Sequence, residues 1–136
     1  MKLKNTTMDT LFWVLQGLLA FMMFMPGMLK LTNNTAGLIK KGNGRMDWAE
    51  DVSETQMKLI GLVEVLAALG LILPHALGIL PILTPIAAVG VILTMLGALA
   101  LHVKRNDGIG AIVPNILIML IAFAVAYGRF VLVPFS

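Results

Sequence analysis

The stretch MKLIGLVEVLAALGLILP, residues 57–74, decides the fold. It approaches the ~20 apolar residues that a helix needs to cross a bilayer. It also carries a carboxylate, Glu64, about two helical turns from its start. On insertion scales an ionisable side chain at the centre of a membrane helix costs about 2.5–3.5 kcal/mol. Glu64 is therefore expected to face protein, a cavity or a partner rather than lipid. The remaining sequence is read as the bundle that houses it.

Composition supports a membrane setting. Of 136 residues, 59% are hydrophobic and 12% charged, and the mean hydropathy is +0.94. Soluble chains carry about 25% charged residues. The apolar residues come in blocks of helix-spanning length, which predicts one small membrane domain over residues 1–136. Cysteine is absent, which excludes disulfides, thiolate nucleophiles and cysteine-based metal sites. Any redox role must then use a bound cofactor or a quinone. The formal charge of +3 lies in loops and fits a membrane surface better than a nucleic acid.

Outward from the central stretch, the blocks fall into four spans, an all-α transmembrane four-helix bundle. Helix 1 is expected over residues 10–30, around LFWVLQGLLAFMMFMPGML at 11–29. Its length and the lack of an A-x-A site favour a retained helix over a cleaved signal peptide. Residues 31–56 then form one long polar loop, in which 35–41 suits a short interfacial helix and Trp48 the headgroup zone. Ser53 with Gln56 three residues later reads as a capping box that opens helix 2 at 54–73. Pro74 and Gly78 mark a tight connection. Helix 3 follows over 80–103, with Pro81 and Pro85 in its first turns. Helix 4 spans 112–133, with Pro114 in its first turn and Arg129 near its end. Rows of small residues, Gly90-Thr94-Ala98 on helix 3 and Ala124-Gly128 on helix 4, are expected to hold the bundle by close packing. The methionines, Met22, Met23, Met25 and Met28 among them, read as apolar filling.

Four spans put both termini on one side. Lys30, Lys40, Lys41, Arg45, Lys58, Lys104 and Arg105 lie toward the long loop and the 104–111 turn, against Lys2, Lys4 and Arg129 on the other face. The positive-inside rule then predicts a cytoplasmic 31–56 loop with both termini outside.

The same topology brings polar groups toward one leaflet. Lys30 closes helix 1, Glu64 lies ~10 Å along helix 2 from Met57, His102 closes helix 3, and Asn115 opens helix 4. These groups can satisfy one another or hold a polar headgroup or a quinone ring. For Glu64 the alternatives are a packing carboxylate paired with Lys30, and a ligand-binding or proton-handling group. Lys30 is either an ammonium snorkelling into headgroups or a partner for Glu64. His102 is either an interfacial side chain or a proton donor and acceptor. Asn115 also reads as a cap. No metal site is expected, since the ligand spacings of one are missing. Gln16, Tyr127 and Arg129 lie toward the opposite leaflet and read as packing and interface anchors.

Several motifs together resemble a known family. They are PGMLKL at 26–31, IGLVEVLAALGLILP at 60–74, PILTPIAAVGVILTMLGA at 81–98, HVKR at 102–105, VPN at 113–115 and AYGRF at 126–130. This pattern resembles the DoxX-like family of small four-helix membrane proteins over nearly the whole chain. The resemblance implies an integral protein of the cell membrane, typically the bacterial cytoplasmic membrane. The family takes its name from a subunit of a thiosulfate:quinone oxidoreductase, and other members are parts of membrane redox complexes. Animal relatives look like assembly chaperones for membrane receptors. The family's polar signature falls here on Lys30, Glu64, His102 and Arg105. The lack of cysteine stands against a thiol relay.

Three functions stay open at this point. The first is a quinone- or lipid-binding subunit of a membrane redox system, with a redox protein as partner. The second is a non-enzymatic assembly or accessory protein. The third is a small proton-linked transporter, most readily a homo-oligomer.

Overall fold

The computed structural model describes residues 2–134, with side chains from Thr6 onward. Among the described residues there are five α-helices and no strand: α1 Lys2–Thr32, α2 Thr35–Gly42, α3 Glu54–Leu77, α4 Leu83–Arg105 and α5 Ile109–Tyr127. A short 3₁₀ helix, Asp47–Asp51, lies between α2 and α3, and a π-helical turn, Gly128–Leu132, follows α5. Four segments are long and apolar enough to cross a membrane: Thr6–Thr32, Glu54–Leu77, Leu83–Arg105 and Ile109–Leu132. Their outward faces carry bare apolar side chains such as Phe21, Leu66, Leu93 and Leu120. In water that surface would be unstable; in lipid it is solvated. The protein is a multi-pass membrane protein.

The spans pack in the order α1, α3, α4, α5, with α5 closing back onto α1. Leu19 and Met23 of α1, Leu71 of α3, Val91 of α4 and Val125 of α5 meet in the centre, and all are fully buried. Arg129 beside Asp9 places the beginning and the end of the described chain at one end of the bundle. At the other end Arg105 reaches Asp51 of the 3₁₀ helix.

The short helix expected at 35–41 is present as α2, but the segment between the first two spans is more folded than a long polar loop. Asn34 caps α2 by accepting the Gly37 N–H at 2.7 Å, and Leu38 buries itself with Ala49 and Met57 in a second small core. Hydrophobic residues at helical spacing, followed by Trp48 and Val52, give this polar stretch enough apolar surface to fold onto the bundle. The capping box forms as expected, with Gln56 N–H donating to Ser53 Oγ at 3.0 Å and Ser53 N–H donating to Gln56 Oε1 at 2.9 Å.

Several helix ends depart from the sequence reading: α1 begins at Lys2 rather than 10, and α4 at Leu83 rather than 80, so that Pro81 precedes it. α3 continues past Pro74 to Leu77. A proline leaves the carbonyl four residues earlier without its helical donor. That carbonyl belongs to Gly70, and the Thr84 hydroxyl of α4 donates to it at 3.0 Å. α5 begins at Ile109 rather than 112, so Pro114 falls in its second turn. The Gly90-Thr94-Ala98 row is not a close-packed seam, since a Cβ on Gly90 would meet nothing within 4 Å. The tight seam runs between α1 and α3.

Candidate functional site

At that seam Gly27 and Gly61 stand face to face. A Cβ on Gly61 would lie 2.8 Å from Lys30 Cβ and 2.9 Å from the Gly27 carbonyl. One on Gly27 would lie 2.9 Å from the Gly61 carbonyl. The absence of side chains lets the helix backbones approach. Three residues beyond each glycine, on the same helix face, come Lys30 and Glu64. Their charged atoms, Lys30 Nζ and Glu64 Oε1, are 2.6 Å apart. Both side chains are buried, at 7% and 5% exposure. Trp48 covers the ammonium from the 3₁₀ helix side, its ring centroid 5.4 Å from Nζ. Glu64 Oε1 has no other donor among the described residues.

Lys58, one turn into α3, finishes the seam. Its ammonium donates to the carbonyls of Lys30 at 3.0 Å and Leu31 at 3.1 Å, and also to that of Asn33. The last carbonyls of a helix lack intrahelical donors and carry the negative end of its dipole, so a cation there satisfies both. Sequence reading took Lys58 for a topological charge; it is the clamp that ends α1.

His102 and Arg105 do not join Lys30 and Glu64. They form a second cluster at the end of α4. Asn106 adopts a left-handed conformation, φ 58°, which turns the chain so that Asp107 faces back along the helix. Asp107 Oδ2 lies 2.7 Å from His102 Nδ1 and 3.1 Å from Arg105 Nε. Both the Nδ1–H tautomer and the imidazolium supply the proton this contact requires. Arg105 reaches across to Asp51 at 2.7 Å and to Glu50 at 3.4 Å, fastening the 3₁₀ helix to the bundle. The hydrogen bond from His102, with added help from Arg105, holds the Asp107 carboxyl below the usual carboxylate range. Asn115, the remaining expected site residue, is 7% exposed on α5. Its Nδ2 has no hydrogen-bond partner among the described residues.

A third polar group lies at the opposite end of the bundle. Arg129, 2% exposed, donates from Nε to Gln16 Oε1 at 2.6 Å and from Nη1 to Asp9 Oδ1 at 2.7 Å. Gln16 in turn donates from Nε2 to the Leu71 carbonyl at 2.7 Å, so the π-helical turn, α1 and α3 share one chain of hydrogen bonds. The guanidinium also stands 5.7 Å from the Phe12 ring and 5.9 Å from the Trp13 ring. Trp13 stacks on His75 with centroids 4.4 Å apart. A Cβ on Gly128 would collide with Phe12, so that glycine lets the π-helical turn bring Arg129 inward. Sequence reading gave Gln16 and Arg129 the role of anchors. The signal that would have found them is the one applied to Glu64, a polar side chain inside an apolar span.

Among the described residues no group of three or more His, Cys, Asp or Glu side chains has the arrangement of a metal site. An apolar hollow of about 280 Å³ is an open furrow between α1 and α3 lined by Phe21, Phe24, Leu69 and Leu73. It lies on the lipid-facing side, apart from the ion pair.

Comparison with curated proteins and with solved structures gives no match. A family model described as the DoxX-like family matches residues 14–125. That range takes in α2, α3 and α4 whole and reaches from α1 into α5, and with it the Lys30–Glu64 and His102–Arg105 clusters: the chain belongs to the DoxX-like family.

Proposed function

We propose that this protein is a non-enzymatic accessory subunit, a compact membrane domain of residues 1–136 that assembles with or stabilises a partner membrane protein. The observation that carries this reading is that the buried charges within the spans are matched internally, Glu64 by Lys30 at 2.6 Å and Arg129 by Asp9 at 2.7 Å. A catalytic or transporting carboxylate must exchange protons or ligands during its cycle. One held by an ammonium and closed off by tight backbone packing is suited to fixing two helices in register. Lys30 and Glu64 are then packing residues, and His102 and Arg105 position the segment between the first two spans. The seven-to-three distribution of basic residues supports a cytoplasmic 31–56 segment.

One observation favours a second reading, a quinone- or lipid-binding subunit of a redox system. The buried Asn115 amide has a free donor, and a quinone carbonyl would accept from it.

The two separate in one experiment. The tagged protein is isolated from its own membrane in mild detergent, alongside Asn115→Leu, and both are examined by native mass spectrometry. The accessory reading expects a membrane protein bound in fixed ratio to both forms. A quinone bound to wild type and lost from Asn115→Leu, with no protein partner, would replace it with the second reading.

A further inference from the structure

The segment between α1 and α3 carries charges of both signs, and the fold sorts them. Two of its carboxylates, Asp51 and Glu50, are exposed but paired with Arg105, and Glu54 Oε1 accepts the Thr35 N–H at 3.2 Å. Its cations turn outward. Lys40, Lys41 and Arg45 are exposed, and none forms an ion pair among the described residues. Asp47 and Glu54 are exposed carboxylates without an ion pair among the described residues, so three unpaired positive charges stand against two unpaired negative ones, of which Asp47 is the nearer to Arg45 in the chain.

Local structure gathers the three. Lys40 and Lys41 occupy the last turn of α2, where the helix dipole favours cations. Asn43 and Gly44, with φ of 49° and 88°, then reverse the chain, and the Arg45 N–H closes the turn on the Gly42 carbonyl at 3.0 Å. The height of the patch is also fixed. Two residues separate α1 from α2, and Leu38, 1% exposed, pins α2 to Met57 at the start of α3. The patch therefore stands at the end of the spans, at the level of lipid headgroups.

We propose that Lys40, Lys41 and Arg45 form a binding site for the phosphate of an anionic phospholipid in the adjacent leaflet. The apolar face of α2 is already occupied by the bundle, so what the helix offers outward is cationic. Anionic lipid is the complementary partner continuously present at that height. The site needs neither reading of the protein's function, since it uses no residue of the ion pairs or of Asn115.

The test uses the whole protein in detergent, with native mass spectrometry of lipids retained from mixtures of phosphatidylglycerol and phosphatidylcholine. The triple variant K40Q/K41Q/R45Q should bind phosphatidylglycerol more weakly by on the order of a hundredfold, the product of three roughly fivefold contributions. Phosphatidylcholine retention should not change. Asp47→Asn, which removes the opposing charge nearest Arg45 in the chain, should strengthen phosphatidylglycerol binding, and Lys104→Gln, an exposed cation on α4, should leave it as it was. Unchanged phosphatidylglycerol binding by the triple variant would overturn the proposal. So would an acidic protein that accompanies wild type and is lost from the triple variant, which would assign the patch to that protein.

Discussion

The Gly61 Cα and the Gly27 carbonyl meet so closely that a single added carbon on Gly61 would lie 2.9 Å from that oxygen. The contact is backbone against side chain stem and backbone, with no flexible side-chain end able to yield. Gly61→Ala should therefore push α1 and α3 apart and cost about 1–3 kcal/mol, as overpacking does. Gly90→Ala, which meets open space, should be neutral or slightly stabilising. Thermal unfolding of both variants in one detergent checks the contrast. Equal midpoints would show that the seam is looser than described.

Thr84 and Pro74 are coupled through the Gly70 carbonyl. Thr84→Val removes the hydroxyl donor and leaves a half-buried acceptor unsatisfied, at a cost of about 1–3 kcal/mol. Pro74→Ala restores a backbone N–H in the position to serve Gly70. In that background Thr84→Val should cost much less. The coupling is read as the difference between the two unfolding-midpoint shifts, and additive shifts would contradict it.

The Asp107 tie gives a pH dependence of definite sign. His102, then Arg105, holds its carboxyl below the ordinary 3.8. A depressed carboxyl contributes stability that is fully present above the ordinary value and is lost as the pH falls through the lower, folded-state value. Wild type should therefore exceed Asp107→Asn in unfolding midpoint at about pH 7, and the gap should close only below about pH 4. A gap that persists unchanged at about pH 3 would show that the charge on Asp107 has no part in it.

Much of the fold was legible because the bilayer imposes a coarse code, in which apolar length gives spans and polar runs give turns. The Glu64 argument needed no more than a carboxylate in an apolar run, and it led to Lys30. The site at the far end was legible by the same rule, yet Gln16 and Arg129 lay near enough to helix ends to pass as anchors. Gly27 and Gly61 were hidden for a different reason. Glycines are scattered through every span, and which pair touches depends on helix rotation, which hydropathy does not encode. Nor does sequence tell that Asn106 turns Asp107 back onto His102, drawing that histidine away from Glu64. In the 31–56 segment the short helix at 35–41 was legible, but the rest misled because its composition is polar on average, while Leu38, Trp48 and Val52 are spaced to bury one side.

The account rests on the Lys30–Glu64 pair acting as a packing element, and a double-mutant cycle tests that most directly. Lys30→Met and Glu64→Leu each leave one buried charge without its partner, and each should lose about 3–5 kcal/mol. The double variant, with two apolar side chains at the seam, should recover most of that loss and retain whatever protein accompanies wild type. If Glu64→Leu unfolds at the wild-type temperature and instead sheds a bound small molecule, Glu64 is a ligand group and the account is contradicted.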